Sequence, residues 1–95
     1  MNAAVVPIAL FRLGRVLATG NALERLTPEE ILWGIRRHQA GDWGELTEPD
    51  WQANDRALTE GARLLSVYRA ANGTRFYLVT ESDRRTTTAL LPEDY

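Results

Sequence analysis

The 95-residue chain contains no cysteine, no lysine and only one histidine. Without cysteine it can form neither a disulfide nor a thiolate metal site, and one histidine is too few for a zinc site. The sequence therefore predicts no metal ion, and it contains no motif for a cofactor. No hydrophobic run is long enough to cross a membrane, and the first ten residues lack the regions of a signal peptide. Together these absences predict a cytoplasmic protein of one domain, residues 1–95, with no membrane contact.

The charges are unevenly distributed, although the formal net charge is only −2. Residues 1–41 and 61–85 carry net charges of +2 and +3, whereas residues 42–60 and 86–95 carry −5 and −2. This balance argues against a general nucleic-acid-binding protein. All eleven basic residues are arginines. GC-rich coding explains that choice without any function, and selection for planar, bidentate contacts with anions is the alternative.

Start and stop signals predict two helices. The first begins at Thr27-Pro28-Glu29-Glu30, a pattern typical of a capped helix, and ends near Gly41. The second runs from a cap at Thr47 to Gly61. Both helices carry apolar stripes, so we expect them to pack on a common core.

Each apolar stripe includes one polar residue. His38 on the first helix is predicted to face inward or to lie at the edge of the core. Asn54 occupies the stripe of the second helix, and a buried amide needs hydrogen-bonding partners. We therefore expect Asn54 to bond backbone in or near the loop Gly41–Gly44, and Trp43 in that loop to be buried.

The remaining segments read as strands. Loose alternation predicts one strand over Phe11–Thr19, and Arg85–Leu90 is rich in β-branched threonine. Between the helices and that last strand, Asn72-Gly73 predicts a two-residue type I′ turn joining two more strands. The turn's register places Leu65, Val67, Phe76 and Leu78 on the side facing the helices, and Tyr68 opposite Tyr77 on the open side. The sequence thus predicts an α+β fold with two main helices packed on one face of a small antiparallel sheet of three to four strands.

His38 is the first candidate for acid–base chemistry, since its side chain alone has an ordinary pKa near neutral pH. Metal-independent RNA cleavage needs a base, an acid and a cation beside the phosphate. His38 and the open face of the sheet offer such groups, namely Tyr68, Tyr77, Arg75 and Thr88. This element order resembles the barnase/RelE-like ribonuclease superfamily, in which an open antiparallel sheet holds the site. The alternatives are a core-edge histidine bonded to backbone or Asn54, and ordinary cross-strand packing of the tyrosines.

A closer resemblance covers residues from about Gly14 to Tyr95. The sequence blocks that carry it are Arg37-His38-Gln39, Gly41-Asp42-Trp43-Gly44, Asn54 with Ala57-Leu58, Arg63-Leu64-Leu65-Ser66 with Tyr68, Thr80-Glu81 with Asp83-Arg84, Thr86-Thr87 and Leu90-Leu91-Pro92-Glu93-Asp94-Tyr95. These blocks resemble a group of short proteins from plasmids and integrated mobile elements that are described as plasmid-related. The resemblance implies a genomic setting, not a reaction.

The leading hypothesis is a small non-catalytic mobile-element protein that binds a host or element macromolecule. Interference with host defence, such as restriction or CRISPR complexes, is one form of that activity. The partner is predicted to be a protein or a nucleic-acid complex, bound through Tyr68, Tyr77, Arg75, Arg84 and Arg85. A toxin-type RNase that uses His38 is the alternative, and it requires His38 to reach an open cleft shared with the sheet residues. A homodimer joined through the tyrosine-lined face is the third hypothesis.

Overall fold

A computed structural model describes residue 3 and residues 8–95. The first ten residues, in which the sequence predicts no signal peptide, therefore lie mostly outside the described residues. The predicted α+β class is confirmed. In chain order the elements are β1 (Arg15–Ala18), α1 (Gly20–Arg25), α2 (Pro28–Gln39), α3 (Glu48–Glu60), β2 (Leu64–Arg69), β3 (Arg75–Thr80), β4 (Thr86–Leu90) and a short 3-10 helix (Pro92–Asp94).

The four strands form one sheet in the order β1-β4-β3-β2. Strands β2, β3 and β4 pair antiparallel, as consecutive strands joined by short turns do, but β1 pairs parallel with β4. The sheet is therefore mixed and not purely antiparallel. This parallel pair brings the segment before α1 beside the end of the chain, a contact that no local pattern predicts.

The first strand is shorter than predicted. It covers Arg15–Ala18, because Gly14 adopts a left-handed φ of 65° that ends the extended run. The preceding segment instead lies against the end of α2, where the Leu10 amide donates to the Gln39 carbonyl over 2.8 Å. The predicted caps of the two long helices are confirmed: Thr27 forms a capping box with Glu30, and Gly61 ends α3 in the left-handed region.

The hairpin register predicted from Asn72-Gly73 is wrong by one residue. The turn contains three residues instead of two, because the Ala70 amide bonds the Thr74 carbonyl over 2.8 Å. Gly73 takes a left-handed φ of 87°, as the last residue of a three-residue hairpin loop does. A one-residue slip turns every side chain of one strand to the other face of the sheet.

The corrected register changes which residues form the core. Tyr68 pairs with Phe76, and Val67 pairs with Tyr77. The inner face, which α2 and α3 cover, contains the buried side chains of Leu64, Ser66, Tyr68, Phe76, Leu78, Thr80, Thr87 and Ala89. Phe76 and Leu78 are core residues as predicted. Alternation places Leu65 and Val67 on the outer face, where Val67 is nevertheless buried and Leu65 is half-buried.

None of the helices described in residues 8–95 is long and apolar enough to cross a membrane.

Candidate functional site

His38 is enclosed between α2 and the inner face of the sheet, and its side chain has no exposed surface. Its Nδ1 lies 2.5 Å from Ser66 Oγ, and its Nε2 lies 2.8 Å from Thr80 Oγ1. The rings of Phe11 and Trp43 pack edge-to-face on it, with centroids 5.1 and 5.6 Å from the imidazole centroid. Both ring nitrogens therefore have partners inside the protein.

The hydrogen bonds continue from His38 across the sheet in one direction. Thr87 Oγ1 donates to the Leu13 carbonyl over 2.8 Å, because a carbonyl only accepts. With that proton in use, Thr87 accepts from Thr80 Oγ1 at 2.7 Å, and Thr80 accepts from His38 Nε2. His38 Nδ1 then accepts from Ser66. This order of donors requires a neutral imidazole that carries its proton on Nε2. We call these groups the His38 network.

Burial, with a smaller contribution from the positive charge of Arg84, lowers the pKa of His38 from 6.5 to about 4. The imidazole is therefore neutral at pH 7, and a second proton would oppose the donor order of the His38 network. The side chain ties α2 to β2 and β3 through Ser66 and Thr80. In this geometry it performs a structural role.

Two side chains of α3 form hydrogen bonds with neighbouring segments: one binds the loop after α2, and the other binds β2. Trp43 is fully buried, as predicted, and its Nε1 donates to Asp55 Oδ1 over 2.9 Å. Asn54 binds backbone, as predicted, but its partner is Leu65 on β2 and not the loop. Its side-chain amide accepts from the Leu65 amide at 3.2 Å and donates to the Leu65 carbonyl. Asn54 thus occupies the apolar stripe of α3 because its amide binds the backbone at the edge of the sheet.

Arg37 and its neighbours form the outer part of the same loop. The guanidinium lies 4.6 Å from the Trp33 ring centroid and 4.7 Å from that of Tyr68. It also holds Asp42 in a bidentate pair of 2.6 and 3.1 Å, which lowers the pKa of that carboxyl. The Tyr68 hydroxyl donates to the Asp42 carbonyl over 2.6 Å, and burial raises the pKa of the phenol. Tyr68 is therefore a packing residue and not an exposed binding residue.

The residues predicted to act with His38 lie on different sides of the sheet. His38 and Tyr68 are on the inner face, whereas Tyr77, Thr88 and Arg75 project from the outer face by the observed register. Tyr77 packs against Tyr95, with ring centroids 5.5 Å apart. The structure does not bring His38 together with Tyr77, Thr88 or Arg75 in one cleft.

A second region, which we call the arginine groove, lies between residues 12–15 and residues 83–85 and encloses about 730 Å³. Arg12, Arg15 and Arg85 line it and are exposed. Within the described residues, no carboxylate oxygen lies within 4.0 Å of their guanidinium nitrogens. The arginines that do have such a partner are Arg25, Arg37, Arg63, Arg69 and Arg75.

Arg84, predicted as a binding residue, also lines the groove and is half-buried, but its guanidinium is bonded to backbone carbonyls. Its Nη1 donates to the carbonyls of Ala62 and Glu81 at 2.7 and 3.0 Å, and its Nη2 donates to that of Ala57 at 3.2 Å. These bonds fasten the β3–β4 turn to the end of α3. They also support a left-handed backbone at Arg84, with a φ of 60°, which is uncommon for a residue other than glycine. Of the two arginines in this turn, Arg85 is the exposed one.

The floor of the groove is a close approach of two backbones. A Cβ at Gly14 would lie 2.1 Å from the Arg85 carbonyl oxygen, so only glycine fits there. The Arg15 amide donates to the same carbonyl over 2.8 Å and begins the parallel pairing of β1 with β4. Sequence reasoning identified Arg85 but missed Arg12 and Arg15, because the pairing that brings them together spans about 70 residues. The available signal was the pair of positively charged segments, 1–41 and 61–85.

Among the described residues, no group of three or more histidine, aspartate or glutamate side chains is arranged to hold a metal ion. Comparisons with protein-family models, curated proteins and solved structures found no match to this chain.

Proposed function

We propose that this protein is a non-catalytic binding module of a mobile element that contacts a host or element macromolecule through the arginine groove. The partner carries phosphates, as nucleic acid does, either alone or in a defence complex such as a restriction or CRISPR assembly. One observation carries the proposal: three exposed arginines without a carboxylate partner among the described residues line a single groove.

The chemistry of the groove favours a phosphate ligand. A guanidinium presents paired N–H donors that match two phosphate oxygens, and it remains charged at any physiological pH. Asp83 is the one acid that lines the groove, and its Oδ1 accepts the Arg85 amide at 2.9 Å. Since contacts to phosphate do not read base identity, we expect binding with little sequence preference. An acidic protein overall can still bind in this way because its positive charge is local.

The enclosure of His38 supports the non-catalytic part of the proposal. An RNase would need the imidazole, a cation and a second acid–base group around one reacting phosphate. His38 lies on the inner face with both nitrogens bonded, whereas Tyr77 and Thr88 lie on the outer face. Cleavage of RNA by the purified protein that is lost in His38→Ala would contradict this part of the proposal.

The test is fluorescence anisotropy with short labelled single-stranded and duplex oligonucleotides at several salt concentrations. If three arginines displace counterions, the slope of log K against log salt is about −2 for single strands and about −2.7 for duplex DNA. Between 50 and 200 mM salt the affinity should then fall about 20-fold and about 40-fold, respectively. No detectable binding at the lowest salt, or binding that ignores salt, would overturn the proposal.

Two triple variants with the same change in net charge locate the contact. R12Q/R15Q/R85Q removes the three exposed groove arginines and should abolish most of the salt-dependent binding. R25Q/R36Q/R56Q removes three exposed helical arginines away from the groove and should leave the affinity within about two-fold of wild type. Equal losses in the two variants would show that net charge, and not the groove, determines binding.

A further inference from the structure

The two edges of the sheet differ in how their backbone groups are used. At the β2 edge, the Val67 amide donates to the Trp43 carbonyl at 3.1 Å, and the Val67 carbonyl accepts from the Glu45 amide at 2.7 Å. The Asn54 side chain binds the Leu65 amide and carbonyl on the same edge. This edge is therefore covered by the loop after α2 and by α3.

The β1 edge is open in the described structure. The amides of Arg15 and Thr19 donate toward β4, to the carbonyls of Arg85 and Ala89 at 2.8 and 3.0 Å. Because the backbone groups of a strand alternate in direction, those of Val16 and Ala18 point away from β4. No described residue outside β1 bonds to them.

Two of the three exposed side chains of β1 are apolar. Val16 is 46% exposed and Leu17 is 41% exposed. A strand edge with free amides, free carbonyls and apolar side chains is a template for pairing with another strand. Natural sheets block such edges with a lysine, a proline or a bulge, and Arg15 at the start of β1 is the one charge on this strand.

We propose that β1 pairs antiparallel with β1 of a second copy of this chain, which joins two four-stranded sheets into one of eight strands. The register follows from the free groups. Antiparallel pairing that uses the amides and carbonyls of both free residues places Val16 opposite the partner's Ala18. Leu17 then lies on the two-fold axis, opposite the partner's Leu17 on the outer face.

A second copy is the occupant because this register is self-complementary. Each free group meets its counterpart, and the exposed Leu17 side chain covers its own symmetry mate. Arg15 lies opposite the partner's Thr19, about 14 Å along and across the strands from the partner's Arg15, so no like charges face each other directly. Only four residues form β1, which predicts a small interface and a dimer that dissociates readily.

One consequence rests on the proposed function. The two arginine grooves lie at the β1 ends, on either side of the two-fold axis, and their mutual repulsion weakens the free dimer. A nucleic acid long enough to contact both grooves would offset that repulsion and raise the dimer fraction.

Cysteine cross-linking tests the register, since the chain contains no cysteine of its own. In the proposed dimer the two copies of L17C have Cα atoms about 4.5 Å apart, within the range of a disulfide. V16C is the matched control, because Val16 is adjacent and similarly exposed, but its Cα would lie about 8 Å from its counterpart, too far for a disulfide. Under mild oxidation without nucleic acid, L17C should form disulfide-linked dimer about ten-fold faster than V16C.

A collision reference completes the experiment. L23C places a cysteine at a residue that is 62% exposed on α1 and reports the rate of random encounters. Cross-linking of L17C at the L23C rate, or equal rates for L17C and V16C, would overturn the proposal. Because these rates are measured without oligonucleotide, failure of the dimer and failure of nucleic-acid binding are separate outcomes.

Sedimentation equilibrium of the cysteine-free protein gives a second measurement. V16P removes an amide that donates nothing within the described chain, so it should keep the melting temperature of wild type and lose the dimer. A variant that keeps both the wild-type melting temperature and the dimer fraction would contradict the proposed pairing. If V16P instead unfolds, the rates of L17C and V16C decide the question.

Discussion

The His38 network and the arginine groove share one segment, residues 11–15. The polar groups of the network are bonded within the protein, whereas the exposed arginines of the groove have no carboxylate partner among the described residues. The Leu13 carbonyl accepts from Thr87 and ends a chain of buried hydrogen bonds, while Arg12 and Arg15 beside it project into the open groove. Among the described residues no buried side-chain nitrogen or oxygen lacks a hydrogen-bond partner. The three exposed guanidinium groups of the groove have no carboxylate partner among the described residues.

The difference shows that residue type alone does not locate a functional surface. Histidine is the side chain most often associated with catalysis, yet here its nitrogens are consumed by Ser66 and Thr80. Exposed arginines are common on protein surfaces, yet those of the groove lack the partners that five other arginines have. Arg36 and Arg56 are also exposed and lack a carboxylate partner among the described residues, but they do not line the groove. The proposed binding surface therefore rests on the clustering of unpaired arginines and not on the most reactive side chain.

The largest expected effect comes from removing His38. His38→Ala deletes a fully buried ring and leaves the hydroxyls of Ser66 and Thr80 without their partner. We expect the free energy of unfolding, measured by urea denaturation at pH 7, to fall by about 3–5 kcal/mol. Arg36→Ala, on the exposed side of the same helix, should change it by less than about 0.5 kcal/mol.

If His38→Ala left stability unchanged but abolished oligonucleotide binding, the structural role of His38 and its separation from the groove would both be contradicted. A variant that is still folded under the assay conditions should bind with wild-type affinity, because the ring is hydrogen-bonded to Ser66 and Thr80, which do not line the groove.

The second prediction concerns the pH dependence of stability. The pKa of His38 is lowered from 6.5 to about 4 in the folded protein, so the unfolded state binds a proton first as the pH falls. The stabilising contribution of the neutral ring is complete above about pH 6.5 and is lost between about pH 6.5 and 4. The total loss is about 3 kcal/mol, which urea denaturation across this pH range would measure.

His38→Gln is the control for that pH profile. Since His38 is the only histidine, the variant should lose the dependence between about pH 6.5 and 5. Carboxyl groups with lowered pKa values, such as Asp42, change the pH dependence of stability only at lower pH. If the variant and the wild type lose stability equally between about pH 6.5 and 5, the lowered pKa of His38 is not the cause of the pH dependence.

Local patterns predicted the features that depend on nearby residues. The Thr27 capping box, the left-handed Gly61 cap and the buried Trp43 each follow from neighbouring residues or from burial of a large ring. The hairpin register was predicted wrongly because Asn72-Gly73 suits both a two-residue and a three-residue loop, which differ by one residue in pairing.

The candidate site was only partly predictable, because it is built from long-range pairs. Arg85 was identified in the sequence, but Arg12 and Arg15 reach it through the parallel pairing of β1 with β4. The inward direction of Arg84 also escaped prediction, since it depends on three carbonyls near the end of α3 and in the adjacent turn.

The third prediction separates two adjacent threonines of β4. Thr87→Val removes the hydroxyl between Thr80 and the Leu13 carbonyl with little change in shape. It leaves the buried Thr80 hydroxyl without an acceptor and the half-buried Leu13 carbonyl without a donor. We expect a loss of about 1–3 kcal/mol in the free energy of unfolding. Thr88→Val, on the outer face, should change it by less than about 0.5 kcal/mol. Equal losses would mean that β-branched shape, and not the hydrogen bond, is what residue 87 supplies.

The smallest effects separate two adjacent arginines within the groove itself. Arg84→Gln removes three bonds to backbone carbonyls that hold the β3–β4 turn, and it should cost about 1–2 kcal/mol of stability. Arg85→Gln breaks no such bond and should change stability by less than about 0.5 kcal/mol. Oligonucleotide affinity should respond in the opposite sense, with R85Q reducing the salt slope by up to about 0.9 and folded R84Q leaving it nearly unchanged. If both variants changed stability equally and affinity equally, Arg84 and Arg85 would not have the separate roles of holding the turn and binding the ligand.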